Sequence, residues 1–312
     1  MARLCRVGSV VVGQGRPLTI IAGPCALESC SLAMEVGQAL RDACCTLGLT
    51  YIFKASFDKA NRTSLRSPRG PGLEQGLEDL AFVRDELHTP VTTDIHHPQQ
   101  APRAAEVVDL LQIPAFLCRQ TDLLLAAGEA AAARNRAVNI KKGQFLSPRE
   151  MAGPVEKVQA AGCRDILLTE RGTFFGYHRL VNDFAGFGDL LELEAPGGSP
   201  PVCFDCTHST QAPGEGRTSG GRPERAGLLA KAATAAGAHA IFLECHPDPP
   251  RALSDSQSML PLTEALSLLP LVAAIRSAVE LPASTRGGDA AEQRPSQPAR
   301  CTGQHATETP AG

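Results

Sequence analysis

The run AIFLEC, residues 240–245, decides how this chain folds. A strand with one face in water alternates apolar and polar residues. This run is apolar at successive positions up to Glu244, as a strand buried on both faces requires. TIIAG (19–23), DLLQI (109–113) and DILLT (165–169) read the same way. With the remaining β-rich runs they give eight expected strands: Leu18–Gly23, Thr50–Ala55, Val91–Ile95, Val107–Ile113, Val138–Lys141, Asp165–Thr169, Val202–Thr207 and Ala240–Cys245. Amphipathic segments lie between them, among them Leu32–Leu47, Leu73–Leu87, Arg149–Ala161 and Arg225–Ala236. Eight β/α units without a break fit an α/β fold of the closed (β/α)8 TIM-barrel class better than a doubly wound sheet. Val7–Pro17, with a GQG turn, reads as a short N-terminal β-hairpin capping the barrel bottom. Residues 1–280 are thus expected to form one catalytic barrel domain. Residues 281–312, rich in Gly, Ala, Pro, Ser, Thr and Gln without apolar periodicity, are expected to be a disordered tail.

Composition narrows the function classes. The 312 residues are 43% hydrophobic and 20% charged with a formal net charge of -3, which excludes a disordered chain and a membrane bundle. No stretch approaches the ~18 unbroken apolar residues of a membrane span, and the apolar run near the N-terminus is too short for a secretory signal. A soluble, cytoplasmic chain is expected, with neither nucleic acid nor membrane as partner. Eleven cysteines is an odd count in a chain too long to need disulfide staples, so most should be reduced and buried. Only six of the thirty basic residues are Lys, at 54, 59, 141, 142, 157 and 231. A compact ammonium does things that a planar guanidinium cannot, so these positions draw attention.

In such barrels chemistry sits at the C-terminal ends of the strands. Those ends carry Cys25, Lys54 with Ser56, Asp94 with His96, Gln112, Lys141 with Lys142, Glu170 with Arg171, Asp205 with His208, and Glu244 with His246. The loop KASFDKANRTSLRSPRG sets Lys54, Lys59, Arg62, Arg66 and Arg69 against the single acid Asp58. Elsewhere this would read as a solvated basic loop; beside a barrel mouth it suits phosphate and carboxylate oxygens. Cys25, His208, Glu244 and Asp255 offer thiolate, imidazole and two carboxylates, a mixture that suits Zn, Fe(II) or Mn rather than Mg or Ca. From spacing alone the blander readings lead, Cys25 as a small buried residue and His208 as a loop histidine. Cys203 and Cys206 form a CxxC, but on a strand their thiols face opposite ways, which disfavours a redox pair or a zinc knuckle.

The blocks IAGPCALES, YIFKASFDKANRTS, VTTDIH, DLLQIPAFLCRQTDLL, VNIKKGQFLSP, LTERGTFFGY, FDCTHSTQ and FLECHPDPPRALSDSQSMLPL are similar to those of the 3-deoxy-D-manno-octulosonate 8-phosphate synthase family, in the family's order from about residue 18 to 270. The resemblance implies condensation of phosphoenolpyruvate with D-arabinose 5-phosphate and water, releasing inorganic phosphate. It assigns Lys141, Arg171 and the backbone at Ala115 to the phosphoenolpyruvate phosphate, and Lys54, Ser56 and Lys59 to its carboxylate, with Gln112 nearby. Asn61, Arg62, Thr63 and Ser64 match the block for the sugar phosphate, and Asp94 lies near the sugar hydroxyls. The family divides by metal dependence. Cys25, where metal-independent members have Asn, and Ser254-Asp255-Ser256, where they tend to read Cys-Asp-Gly, imply the metal-dependent class, with Cys25, His208, Glu244 and Asp255 as ligands. Asp255 or His208 would assist proton movement and Lys141 could donate a proton. A homo-oligomer, a tetramer by family pattern, is implied as well.

Departures from that pattern fall in His178 and Arg179, in Asp183-Phe184-Ala185, in a longer and more acidic segment 186–200, and in loop 212–222 with Glu215, Arg217 and Thr218. They bear on lid motion and subunit contacts more than on chemistry. Three rival readings remain: a seven-carbon synthase using erythrose 4-phosphate, a Schiff-base aldolase using Lys141, and an inactive scaffold barrel.

Overall fold

The computed structural model describes residues 2–60, 68–212 and 220–280. In chain order the strands are β1 Cys5–Val7, β2 Val10–Val12, β3 Thr19–Gly23, β4 Thr50–Lys54, β5 Val91–Asp94, β6 Leu110–Ile113 and β7 Ala137–Lys141. They continue with β8 Ile166–Glu170, β9 Val202–Asp205, the short β10 Gln211–Ala212 and β11 Gly220–Gly221, β12 Ala240–His246 and β13 Leu260–Pro261. The helices are α1 Cys30–Thr46, α2 Leu73–Leu87, α3 Gln100–Val107, α4 Thr121–Arg134, α5 Ala152–Ala160, α6 Phe184–Leu191, α7 Ala226–Ala235 and α8 Leu262–Glu280. β3 through β9 pair in parallel in sequence order, and β12 pairs with both β3 and β9. The sheet is therefore a closed eight-stranded parallel barrel, wrapped among the described residues by eight helices, as the run of β/α units predicts.

The apolar runs form strands because each has somewhere to bury both faces. Alternate residues enter two different clusters. Val138, Ile140, Ile166, Leu168, Ile241 and Leu243 pack outward against the helices. Ile21, Ile52, Leu110, Ala137, Leu167, Cys203, Ala240 and Phe242 pack inward. The hairpin side chains Cys5, Val7, Val10 and Val12 join that inner cluster and plug the barrel bottom. Helix α1 shows the complementary logic: Ser29 caps it by accepting from the Leu32 amide at 3.2 Å, and Ala33, Val36, Gly37, Leu40 and Cys44 make one buried stripe. Helix α8 is the one helix among the described residues long and apolar enough to cross a membrane. It sets Ala265, Leu268, Leu269 and Val272 into the outer cluster of the barrel.

Most boundaries move by a residue or two, and four differences have a clear physical reason. The hairpin spans Cys5–Val12 and turns at Gly8–Ser9, with Gly8 at φ 55, so the GQG segment follows the hairpin rather than making its turn. The pairing of Val7 with Val10 decides this, since it points all four apolar side chains into the barrel. Val107 ends α3, and β6 starts only at Leu110, because Asp109 leaves the helix to accept the Val91 amide at 3.1 Å and to pair with Arg136 at 2.6 Å. Strand β9 stops at Asp205, where a 3-10 turn over His208–Thr210 takes over. The segment expected to be helical from Arg149 starts as a 3-10 turn, Pro148–Met151, fixed by a Ser147–Glu150 capping box. Cys203 and Cys206 are free thiols in different clusters, as expected for opposite faces.

Gly23 ends β3 hard against the backbone of β4. A Cβ there would stand 2.1 Å from the Lys54 carbonyl oxygen, which is backbone and has little room to yield. Gly23→Ala should therefore cost at least ~1–3 kcal/mol and lower the thermal midpoint. A midpoint equal to wild type in calorimetry would contradict this packing.

Candidate active site

The barrel interior changes character along each strand. Inward positions run from Ile52 to Lys54 on β4, Leu110 to Gln112 on β6, Leu167 through Thr169 to Arg171 at the end of β8, Cys203 to Asp205 on β9, and Phe242 to Glu244 on β12. Below lies the apolar plug; above, at the C-terminal mouth, lies charge. Phe242 is the floor between them. The Lys141 ammonium sits 3.8 Å from its ring centroid and the Lys54 ammonium 5.6 Å, both within cation–π range.

A hydrogen-bonded belt crosses four strands at this level. Asp94 accepts from Ser56 and from Gln112, the Gln112 side-chain oxygen accepts from Asn139 at 2.9 Å, and Asn139 accepts from Thr169 at 2.7 Å. Gln112 is thus engaged within the barrel wall. Above the belt, Lys54 donates to Glu244 and to the Cys25 carbonyl at 3.0 Å. Lys59 donates to the Ser56 hydroxyl at 3.1 Å. Lys141 donates to Asp205 at 2.8 Å, and Asp205 also accepts from the His208 amide at 2.9 Å and faces His208 Nδ1 at 2.7 Å. With Nδ1 so engaged, His208 Nε2 faces Glu244 Oε2 at 3.5 Å.

Burial alone would raise the pKa values of these carboxyls, but the cations outweigh it. Asp205 is held well below the usual carboxylate range by His208 and Lys141, Glu244 by Lys54 and His208, and Asp94 by Lys54, Lys59 and Lys141. The Cys25 thiol moves the other way: burial first, then the Asp255 and Glu244 carboxylates, push it well above the usual thiol range. It donates to Asp255 Oδ2 at 3.0 Å.

Two features point to ligands. Ligand atoms of Cys25, Glu244 and Asp255 lie within 4.8 Å of one another, and Glu244 Oε2 is buried with no hydrogen-bond partner among the described residues. This donor set suits a divalent ion that accepts sulfur, and His208 Nε2 is the imidazole facing that same oxygen. Arg171 is 5% exposed; one guanidinium nitrogen donates to Gln211 at 2.6 Å, and Nη1 is buried without a partner among the described residues. A buried donor of that kind is costly unless an acceptor such as phosphate completes it.

The structure thus gathers Cys25, Lys54, Ser56, Lys59, Asp94, Lys141, Arg171, His208, Glu244 and Asp255 around one mouth, with Ala115 starting the 3-10 turn Ala115–Leu117. Asn61, Arg62, Thr63 and Ser64 lie outside the described residues. Sequence reasoning left Asp205 and Lys142 without roles. Asp205 fixes both Lys141 and His208, and its position two residues after inward Cys203 was the available signal. Lys142 is buried, donates to the Leu146 carbonyl at 2.9 Å and stands 3.3 Å from Glu170, pinning the loops after β7 and β8.

Comparison with known proteins matches residues 4–280 to the DAHP synthetase I family. A protein of Nitratidesulfovibrio vulgaris (strain DP4) is 53% identical over 259 residues, covering 83% of this chain and 92% of that protein. One of Rhodopseudomonas palustris (strain TIE-1) is 51% identical over 263 residues, covering 84% and 89%. One of Cyanothece sp. is 49% identical over 269 residues, covering 86% and 95%. All three are named 2-dehydro-3-deoxyphosphooctonate aldolase.

The depressed Asp205 carboxyl gives a signed pH prediction. Its stabilising contribution is fully present above the unfolded carboxyl pKa of about 4 and is lost as pH falls toward its lower folded value. Asp205→Asn should lower stability at pH 7 by ~3–5 kcal/mol, since Lys141 keeps no buried partner charge there. Below pH ~4 the variant's thermal midpoint should fall less steeply than wild type's. Parallel acid limbs in the two proteins would rule the assignment out.

Proposed function

The chain belongs to the DAHP synthetase I family, and from its site and its relatives we propose that it catalyses the 2-dehydro-3-deoxyphosphooctonate aldolase reaction in the synthetic direction. Phosphoenolpyruvate, D-arabinose 5-phosphate and water give 3-deoxy-D-manno-octulosonate 8-phosphate and inorganic phosphate. The observation that carries this reading is Arg171 Nη1, a buried cationic donor without a partner among the described residues, at the end of β8 beside a mouth holding Lys54, Lys59 and Lys141. So many desolvated cations in one cavity suit substrates bearing two phosphates and a carboxylate.

In this mechanism Lys141, Arg171 and the Ala115 backbone hold the phosphate of phosphoenolpyruvate. Lys54, Ser56 and Lys59 take its carboxylate, while Asn61, Arg62, Thr63 and Ser64 receive the sugar phosphate. Asp94 stands near the sugar hydroxyls, and Gln112 keeps Asp94 in place from the wall. C3 of the enol attacks the aldehyde carbon and water adds at C2. The hemiketal phosphate then expels phosphate by C–O cleavage, and the water's second proton leaves as the ketone forms. Cys25, His208, Glu244 and Asp255 would hold a divalent ion of the Zn, Fe(II) or Mn type, which when bound supplies Lewis acidity to the reacting oxygens. His208 or Asp255 accepts a proton from the water, and Lys141 is placed to donate one. The Lys141 nitrogen is engaged by Asp205 and the Phe242 ring rather than presented as a free nucleophile, which speaks against the Schiff-base reading.

The reading places the enzyme in the cytoplasm as a homo-oligomer, a tetramer by family pattern. Exposed Phe116, Phe145, Phe175 and Tyr177 on the loops after β6, β7 and β8 support subunit contacts.

Phosphate release should require phosphoenolpyruvate plus arabinose 5-phosphate and fail with erythrose 4-phosphate. A chelator that strips the metal should abolish it, and Zn, Fe(II) or Mn should restore it. Equal rates with both sugars, or turnover indifferent to verified metal removal, would overturn the respective assignment. Metal uptake must expel the Cys25 proton, so apparent metal affinity should rise with pH below the raised thiol pKa. Cys25→Asn should lose ~10-fold or more in metal affinity and flatten the part of that pH dependence that comes from the thiol proton. An unchanged dependence in competition titrations would remove Cys25 from the ligand set.

A further inference from the structure

Cys25 and Asp255 come from loops separated by 230 positions, yet their side chains meet at 3.0 Å. Asp255 rides on the segment between β12 and β13, whose ends are tied by the pairing of Cys245 with Leu260 and His246 with Pro261. Between those ends the tip of the segment must be held against the loop after β3. Glu28, three residues beyond Cys25, does this: its Oε1 accepts the Leu253 amide at 2.9 Å, two residues before Asp255. The same oxygen lies 3.7 Å from His246 Nε2. His246 Nδ1 accepts the Asp248 amide at 2.9 Å, so in the neutral ring the proton sits on Nε2. His246 is 4% exposed, and its Nε2, too far from Glu28 for a hydrogen bond, has no hydrogen-bond partner among the described residues.

We propose that Glu28 is a positioning residue: its carboxylate clamps the β12–β13 segment onto the loop after β3 and so sets Asp255 over Cys25. The clamp touches neither substrate nor reacting atom. Its consequence for metal binding rests on the ligand reading above, but its consequence for the Cys25 environment does not. Without the Leu253 contact the segment swings outward, Asp255 leaves the thiol, and Cys25, only 1% exposed, opens to solvent.

The test uses metal-free full-length protein. Alkylation by iodoacetamide is followed peptide by peptide in mass spectrometry, with buried Cys203 as an internal standard for general loosening. In Glu28→Ala, Cys25 should react at least tenfold faster than in wild type while Cys203 stays at its wild-type rate. Glu28→Gln keeps an acceptor for the Leu253 amide and should protect Cys25 as wild type does. Cobalt(II) titration of the same proteins should show affinity reduced by about 10–100-fold in Glu28→Ala and largely restored in Glu28→Gln. Unchanged Cys25 reactivity in Glu28→Ala, or Cys25 and Cys203 opening together, overturns the clamp. Cys25 opening selectively while wild type itself takes up no cobalt upholds the clamp and refutes the metal reading.

Discussion

Buried opposite charges hold this site together. Lys54 with Glu244 and Lys141 with Asp205 are ion pairs between nearly fully buried side chains, inside a barrel whose lower half is hydrocarbon. Taking such ions out of water is costly, and mutual attraction offsets the cost only when each partner is in place and its remaining hydrogen-bonding groups are met. Asp205 shows the condition satisfied: it takes Lys141, the His208 ring and the His208 amide together. Glu244 shows it left open at one oxygen, and Arg171 at one nitrogen. Such unmet buried groups call for an explanation, and a bound ligand is one that the chemistry of both groups suits.

The fold exists to make that arrangement affordable. The hairpin plug and the inward Ile21, Ile52, Leu110 and Leu167 fill the bottom, so charge is confined to the mouth. Phe242 marks the boundary, presenting its ring face to two ammonium groups. Because the strands pair in parallel, their C-terminal ends come level around one rim, and residues as distant as Cys25 and Asp255 converge there.

Much of this was legible in the sequence because burial on two faces leaves a plain signature. AIFLEC and TIIAG needed no more than their run of apolar residues to read as barrel strands. The charged strand ends were legible too, since Lys54, Lys141, Arg171 and Glu244 interrupt such runs. What escaped was set by geometry at a finer scale. The hairpin turn depends on which valines face inward, and a glycine-rich GQG nearby offers a stronger local turn signal than Gly8-Ser9. The joint hold of Asp205 on Lys141 and His208 spans two strands, and no spacing within one segment encodes it. Lys142 faces away from the mouth while its neighbour Lys141 faces into it, the ordinary alternation of a strand, so adjacency alone could not separate their roles.

The central claim is that this mouth is a metal site with one thiolate among nitrogen and oxygen donors. X-ray absorption at the metal edge of the zinc-loaded protein tests it directly. The account predicts one sulfur at about 2.3 Å with the remaining donors near 2.0–2.2 Å, and loss of that sulfur shell in Cys25→Asn. A wild-type spectrum with no sulfur in the shell, or a sulfur that survives the substitution, would contradict it.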